Sequence, residues 1–425
     1  MLDPRTLEER RDEIAESIRK RRTRANVDTA IDAHRRVAAL TTDLNEANRE
    51  RNEHQQAGKR KLDDVARRAH SEHGRALKER IGEIEAQLRA AQDALDAAAG
   101  LLPNFLHPEV PEGGEDDFAV LATWGEPTRF DFEPLDHLAL GEKHDLFDFD
   151  GAARVAGAKF YYLRNAAVLL ELALQRFALD RAMEAGFVPV ATPDLARSAI
   201  LEGTGFNPRG EETQVYSIEG HDLCLVGTAE ITLGGLQADR GIDEDELPIK
   251  HAGISHCFRT EAGAAGRESK GLYRVHQFTK VEMFVTCRPE DSERFHDEMR
   301  DVEERIFRDL EIPYRVIDVA SGDLGAPAYR KFDIEAWMPG RGDGGGYGEV
   351  TSTSNCTDYQ ARRLKARFKR KGGKKTELVH TLNGTAVAVA RTLIPLLENH
   401  QQADGSIRIP AALRPYLGRD VLEPR

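Results

Sequence analysis

Arg259 and Glu261 stand two residues apart in FRTE (Phe258–Glu261), and Phe278 and Glu282 stand four apart in RVHQFTKVEMF (Arg274–Phe284). A Gly/Ala-rich stretch joins the two segments, which read as the arms of a hairpin. Side chains alternate across a strand, so Arg259 and Glu261 are expected on one face, with Phe258 and Thr260 on the other. On the return arm Arg274, His276, Phe278, Lys280 and Glu282 share one face, while Val275, Val281, Met283 and Val285 share the other. Phe278 and Glu282 would then lie about 13 Å apart at roughly 3.3 Å per residue. That span suits a nucleotide carrying a small acyl group: an aromatic to stack a base at one end, a carboxylate to hold an amine or hydroxyl at the other. A solvated sheet face with cross-strand ion pairs explains the same residues, and the hairpin alone leaves both readings open.

Three further segments add polar groups of the same kind. LVGTAEITL sets Thr228 and Glu230 where a strand gives way to a helix, with Thr228 also a plausible N-cap. GYGEVTSTSNCTD places Glu349 and Ser352 on a strand after a glycine-rich loop, and carboxylate and hydroxyl oxygens suit a Mg²⁺ that bridges phosphates. LNGTAVAVARTLIPLLENHQ is expected to open a helix after Gly384, with Arg391 inside an otherwise apolar face where a guanidinium needs a partner. A cap, a surface glutamate and a snorkelling arginine would each explain one segment. One shared site explains them together.

Two kinds of element must position these groups. In the first hundred residues Ala33, Val37, Leu40, Leu44 and Ala47 recur at steps of four and three, as do Leu77, Ile81, Ile84, Leu88, Ala91, Leu95 and Ala98. This is a coiled-coil seam, interrupted by polar sequence with Gly58 and Gly74, and it predicts two antiparallel helices. Helices of roughly 30–35 residues would extend about 50 Å. Lys59, Arg60, Lys61, Arg67 and Arg68 cluster near the turn, where they are either a solvated face or an RNA contact. Pro103, Pro108 and Pro111 mark a linker, so residues 1–108 and 109–425 are expected as separate domains. Beyond the linker, a helix over Asn165–Ala185 and strands near His221–Val226, Ser255–Glu261, Tyr273–Thr286 and Gly348–Ser352 follow in hairpin order. An α+β fold with a mainly antiparallel sheet flanked by helices is expected.

The totals narrow the function. Lys and Arg number 60 against 73 Asp and Glu, a net charge of −13, so RNA contact must use local basic patches such as Lys59–Lys61 or Arg362–Lys375. No apolar run approaches about 18 residues and Met1 begins no charged-then-apolar leader, so no membrane contact and a cytoplasmic location are expected. Cys224, Cys257, Cys287 and Cys356 are scattered without a C-x-x-C pair, so buried thiols are expected and zinc is not.

The segments TAE (Thr228–Glu230), FRTE, RVHQFTKVEMF, SNCTDYQARRL (Ser354–Leu364) and NGTAVAVART (Asn383–Thr392) resemble those of the bacterial-type seryl-tRNA synthetases, a class II aminoacyl-tRNA synthetase family. The resemblance spans the whole chain, helical arm included, and the G-x-x-x-x-G-K-[ST] phosphate loop is absent as it should be. It implies activation of L-serine by ATP with Mg²⁺ to seryl-adenylate, then transfer to the 3′ end of tRNA(Ser), with tRNA(Sec) as an alternative acceptor. It further implies that Arg259 holds the α-phosphate and the attacking carboxylate. Thr260, Glu261 and the backbone at Val275 would lie against the nucleotide, with Phe278 and Arg391 sandwiching adenine and Arg391 near the γ-phosphate. Glu349 and Ser352 would carry Mg²⁺ and Val350 and Thr351 complete the nucleotide-contact strand. Thr228, Ala229, Glu230, Glu282 and Thr385 would surround serine. A homodimer is implied through GFVPVATP with Pro193, and tRNA contact through Lys59, Arg60, Lys61, Arg67 and Arg68.

Two rival functions are consistent with parts of the chain. A relative that loads an amino acid onto a carrier protein would share the catalytic segments but lack the long arm, which is present here. An inactive RNA-binding paralogue would have lost Arg259, Glu282 or Arg391, and all three are in place. Thr232 and Gly234 stand where many relatives carry proline and alanine, a change beside the expected serine pocket.

Overall fold

A computed structural model of the chain describes residues 2–59, 63–206, 214–262 and 270–425. It divides into two compact units, Met1–Phe105 and Leu106–Arg425.

The first unit is built on α1 (Arg11–Lys20), α2 (Val27–Ala57) and α3 (Asp64–Gly100). Asn26 and Asp63 cap α2 and α3 by accepting backbone N–H groups with their side chains, which fixes where each begins. Leu40, Ala47, Leu77, Ile81, Ile84, Ala91 and Leu95 of the predicted seam are buried, and Leu44 packs against them. Gly74 does not interrupt the helix as expected; it lies inside α3, where its missing side chain makes room for the His54 ring of α2. Below the seam, Leu7, Ile14, Val27, Ala30, Ile31 and Leu102 form a small core.

The second unit is an eight-stranded sheet with helices packed on it. Its strands are β1 (Ala119–Trp124), β2 (Val188–Ala191), β3 (Ile249–Phe258), β4 (Gln277–Cys287), β5 (Tyr314–Asp318), β6 (Arg330–Met338), β7 (Gly346–Asn355) and β8 (His380–Ala388), in the spatial order β1-β5-β6-β7-β8-β4-β3-β2. Every neighbouring pair is antiparallel except β2 with β3. Five helices matter for the site: α4 (His137–His144), α5 (Ala166–Glu184), α6 (Ala229–Gly235), α7 (Ser292–Asp309) and α8 (Val389–His400), the last continuing directly from β8. Leu170, Leu174 and Phe177 of α5, Phe295, Met299 and Phe307 of α7, and Leu393 and Leu397 of α8 bury themselves in one core with Val281, Met283 and Val285 of β4.

Several expected boundaries shift. β3 ends at Phe258 and β4 begins at Gln277, so Arg259–Glu261 and Arg274–His276 lie beyond the paired strands. Glu261 adopts φ 53°, which no strand residue does. β8 runs on to Ala388, so the helix bearing Arg391 opens five residues after Gly384 rather than at it. The strand expected over His221–Val226 shrinks to Cys224–Leu225, and the helix expected over Asn165–Ala185 is α5 with those two residues as its caps. No described helix is long and apolar enough to cross a membrane.

Candidate active site

The hairpin β3–β4, the strands β6, β7 and β8, and the start of α8 enclose a cavity of about 260 Å³. Arg259, Glu261, Val275 and Phe278 line it from the β3–β4 side. Glu349, Val350, Thr351 and Ser352 line it from β7, and Thr385 and Arg391 from β8 and α8. Arg259 and Glu261 thus meet in one site even though the strand geometry that predicted it has ended. They are held by other contacts: the Arg259 backbone N–H donates to His276 O at 2.9 Å, and Glu261 pairs with Arg274 at 2.7 Å.

Glu349 and Ser352 are three residues apart, which in a regular strand would send them to opposite faces. Across β6 the pairing steps from Ile334↔Thr351 to Glu335↔Glu349, leaving Val350 as an extra residue. This β-bulge shifts the alternation, so both oxygens reach the same cavity. Against the desolvation of the site, Arg391, Lys331 and Arg259 hold the Glu349 carboxyl down at about 2. Arg391 Nη1 lies 3.0 Å from Glu349 Oε1 and also donates to Glu349 O, while Nε donates to Tyr273 O.

Below the cavity is a layer of buried polar groups. Glu282 accepts a hydrogen bond from Thr385 Oγ1 at 3.1 Å and pairs with Lys280 at 2.5 Å. Glu230 Oε1 accepts from Gln360 Nε2 at 2.7 Å and Asn383 Nδ2 at 2.9 Å. Thr228 caps α6, accepting the Glu230 N–H at 3.3 Å, as its position suggested. Burial, reinforced by the nearby charge of Glu282, pushes the Glu230 carboxyl up to about 7. Ala229 packs into an apolar cluster with Leu233 and Phe284, and the Thr260 side chain is not part of the cavity lining. Gly234 faces the Thr204 methyl and the Phe284 ring, so a side chain there would press on both.

Phe278 has the Arg259 guanidinium over its ring at 5.3 Å. Arg391 lies over the ring of Tyr273, at 4.8 Å, rather than over Phe278. Sequence reasoning missed Tyr273, Lys331 and Gln360. Lys331 alternates with Asp333 and Glu335 on β6, and that run of charge in an otherwise apolar strand was the available signal. Lys331 pairs with buried Asp333 at 3.1 Å.

Lys59, Arg67 and Arg68 are exposed in the first unit, with Arg67 beside Asp64 at 3.3 Å; Arg60 and Lys61 lie outside the described residues. In the second basic run Arg362 and Arg370 are engaged with Asp358, Glu290 and Glu377. The four cysteines are buried free thiols.

Residues 1–106 match the family model described as the seryl-tRNA synthetase N-terminal domain, and residues 214–400 match the class II tRNA synthetase core domain (G, H, P, S and T). The serine–tRNA ligase of Treponema denticola is 53% identical over 421 residues, covering 99% of each chain. The chain belongs to the seryl-tRNA synthetase family. The serine–tRNA ligase of Rhodopirellula baltica is 55% identical over all of both chains. A crystal structure of seryl-tRNA synthetase from Pyrococcus horikoshii complexed with ATP superposes with a TM-score of 0.90 at 38% identity, again over the whole of both chains. Family membership accounts for a helical unit of 105 residues preceding a class II core, since both parts match.

Proposed function

We propose that this chain is a serine–tRNA ligase that activates L-serine with ATP and passes the seryl group to tRNA. The observation that carries this reading is the convergence of two guanidinium groups, Arg259 and Arg391, with an ionised Glu349 and Ser352 above a buried carboxylate pair. Relatives that match this chain over their full length, helical arm included, are serine–tRNA ligases by name. A carrier-protein loader without the arm and an inactive RNA-binding paralogue find no support among them.

In the first step a serine carboxylate oxygen attacks the α-phosphorus of ATP, the bond to the β-phosphate oxygen breaks, and pyrophosphate leaves. No protein nucleophile is needed; the task is positioning and charge neutralisation. Arg259 binds the α-phosphate and the incoming carboxylate, and Phe278 offers a flat surface to adenine. Glu261 and the Val275 backbone border the base, Thr260 serving only to link Arg259 to Glu261, and Arg391 faces the outer phosphates. Glu349 and Ser352 would hold Mg²⁺, since a carboxylate kept ionised and a hydroxyl on the same cavity wall are hard oxygen donors of the kind it takes. Bound there, the ion would offset phosphate charge; Val350 and Thr351 continue the same strand. Glu230 and Glu282 hold the serine ammonium and hydroxyl, with Thr228, Ala229 and Thr385 completing the pocket. In the second step a hydroxyl of the tRNA 3′-terminal adenosine attacks the seryl carbonyl, releasing AMP. Lys59, Arg60, Lys61, Arg67 and Arg68 contact tRNA(Ser) phosphates, which position the RNA without reading its sequence.

Among the common amino acids, only serine should support rapid ATP–pyrophosphate exchange. A pocket built to pair a hydroxyl leaves its own groups unpaired with alanine, at a cost of a factor of roughly 10⁴. Exchange with alanine within tenfold of that with serine would defeat the assignment.

The Glu230 carboxyl should also set a pH dependence. Its pKa is raised to about 7, so it is anionic above that pH and neutral below it. The KM for serine is therefore expected to rise about tenfold from pH 8 to pH 6, while Glu230→Gln shows a high, flat KM. A wild-type KM unchanged over that range would contradict the role. The same shift favours the folded chain when Glu230 is protonated, and that contribution is lost as pH rises through about 7.

A homodimer is supported by apolar side chains left open on α5 and β2: Leu172 and Val188 are 58% and 57% exposed, with Val168 and Leu169 beside them. Light scattering at micromolar concentration should give twice 47.4 kDa; a monomer mass would refute the dimer.

A further inference from the structure

Glu398 and His137 form a buried carboxylate–imidazole pair outside the groups that line the cavity. Glu398 lies two turns beyond Arg391 on α8 and is 1% exposed; His137 opens α4 and is 4% exposed. Glu398 Oε1 accepts the His137 backbone N–H at 2.9 Å and lies 3.0 Å from its Nδ1. Oε2 accepts the Gly340 N–H at 2.8 Å. With Nδ1 donating to the carboxylate, Nε2 carries the lone pair, and it accepts the Leu272 N–H at 3.4 Å.

Leu272 belongs to the turn Gly271–Tyr273, whose last residue borders the nucleotide cavity. Tyr273 O accepts from Arg391 Nε at 3.2 Å, and the guanidinium groups of Arg391 and Arg341 both lie over its ring, at 4.8 and 4.7 Å. Helix α8 therefore reaches this turn twice, directly through Arg391 and indirectly through Glu398 and His137. Gly271 has φ +56°, and a side chain there would collide with the His137 ring, so the backbone is shaped to admit the imidazole. A purely structural pair would need the three donors that satisfy Glu398, which join α4 and the Gly340 turn to α8. It would not need the bond from Leu272 to Nε2, and that bond is what connects the pair to the cavity.

We infer that His137 and Glu398 are positioning residues for ATP, holding the Leu272–Tyr273 backbone so that its carbonyl fixes the Arg391 guanidinium. The inference rests on the proposed function and concerns the nucleotide half of the site, not the serine half.

The test is the KM for ATP and for serine in pyrophosphate exchange, measured on the full chain carrying His137→Asn or His137→Gln. The asparagine amide stands near Nδ1 and keeps the donor to Glu398 while losing the acceptor for Leu272. The glutamine amide reaches the Nε2 position and keeps the acceptor while losing the donor. His137→Asn is expected to raise the ATP KM about tenfold, the worth of one buried hydrogen bond, with the serine KM within about twofold; His137→Gln should restore most of the loss. An unchanged ATP KM in His137→Asn, a parallel rise for both substrates, or a glutamine variant worse than the asparagine one would overturn the inference. Should neither fold, Glu398→Gln is read by the same split: a rise for ATP alone supports positioning, and no rise or a parallel one overturns it. Absence of serine-dependent exchange in the unaltered protein would instead overturn the proposed function, and this inference with it.

Discussion

Arg259→Ala is expected to lower serine-dependent ATP–pyrophosphate exchange by about 10³-fold or more, the range found when a group that neutralises charge in phosphoryl transfer is removed. The reason is geometric. Arg259 follows β3 directly, its Nε donates to Gly227 O at 3.3 Å, and its guanidinium lies over Phe278. It is thereby held in the cavity beside Phe278, the ring proposed to stack adenine. Arg259→Lys keeps the charge but not the planar fork that engages phosphate and carboxylate together, and should recover only a small part of the rate. The loss should fall on kcat more than on the KM for serine, because the contact strengthens as negative charge builds on the phosphate. Radiolabelled exchange checks both variants, and an Arg259→Ala protein within about tenfold of wild type would remove Arg259 from the reaction.

The second large effect separates activation from transfer. Deleting Val37–Ala91 should leave exchange within about twofold, because every group in the proposed activation step belongs to the second unit, which has its own core. Charging of tRNA(Ser) should fall by about 10²-fold or more, since several phosphate contacts would go together. The cut is compatible with the arm that remains: Arg36 of α2 donates to Gln87 of α3, five residues before Gln92, so the ends to be joined, Arg36 and Gln92, are offset by only about 7.5 Å along α3. Aminoacylation of transcribed tRNA(Ser) by the two proteins, each first shown active in exchange, decides the matter. Full charging by the shortened chain would mean that Lys59, Arg67, Arg68 and their neighbours do not bind tRNA.

The arm was readable in the sequence because its seam depends on one local rule, apolar residues at steps of three and four, and both helices obey it for many turns. Gly74 misled because a glycine in a helix usually signals weakness, whereas here the ring of His54 occupies its missing side chain. The sheet was readable in class but not in extent. Arg259 and Glu261 look like strand residues by alternation, yet the paired region stops at Phe258, and where pairing stops depends on partners distant in sequence. The bulge at Val350 was invisible for the same reason: an extra residue shows only against the partner strand. Charged residues on chemical motifs were easy to single out. Lys331, Gln360, His137 and Glu398 were not, because their significance lies in burial and in partners that only the folded chain brings near.

The central claim is that one compound, the mixed anhydride of serine and adenylate, spans this cavity. The most direct measurement is a crystal structure of the protein with a nonhydrolysable sulfamoyl analogue of seryl-adenylate. Adenine is expected against Phe278, the sulfamoyl group against Arg259, and the seryl ammonium and hydroxyl against Glu230, Glu282 and Thr385. An analogue bound away from Arg259, or seated with its seryl end pointing out to solvent, would contradict the claim.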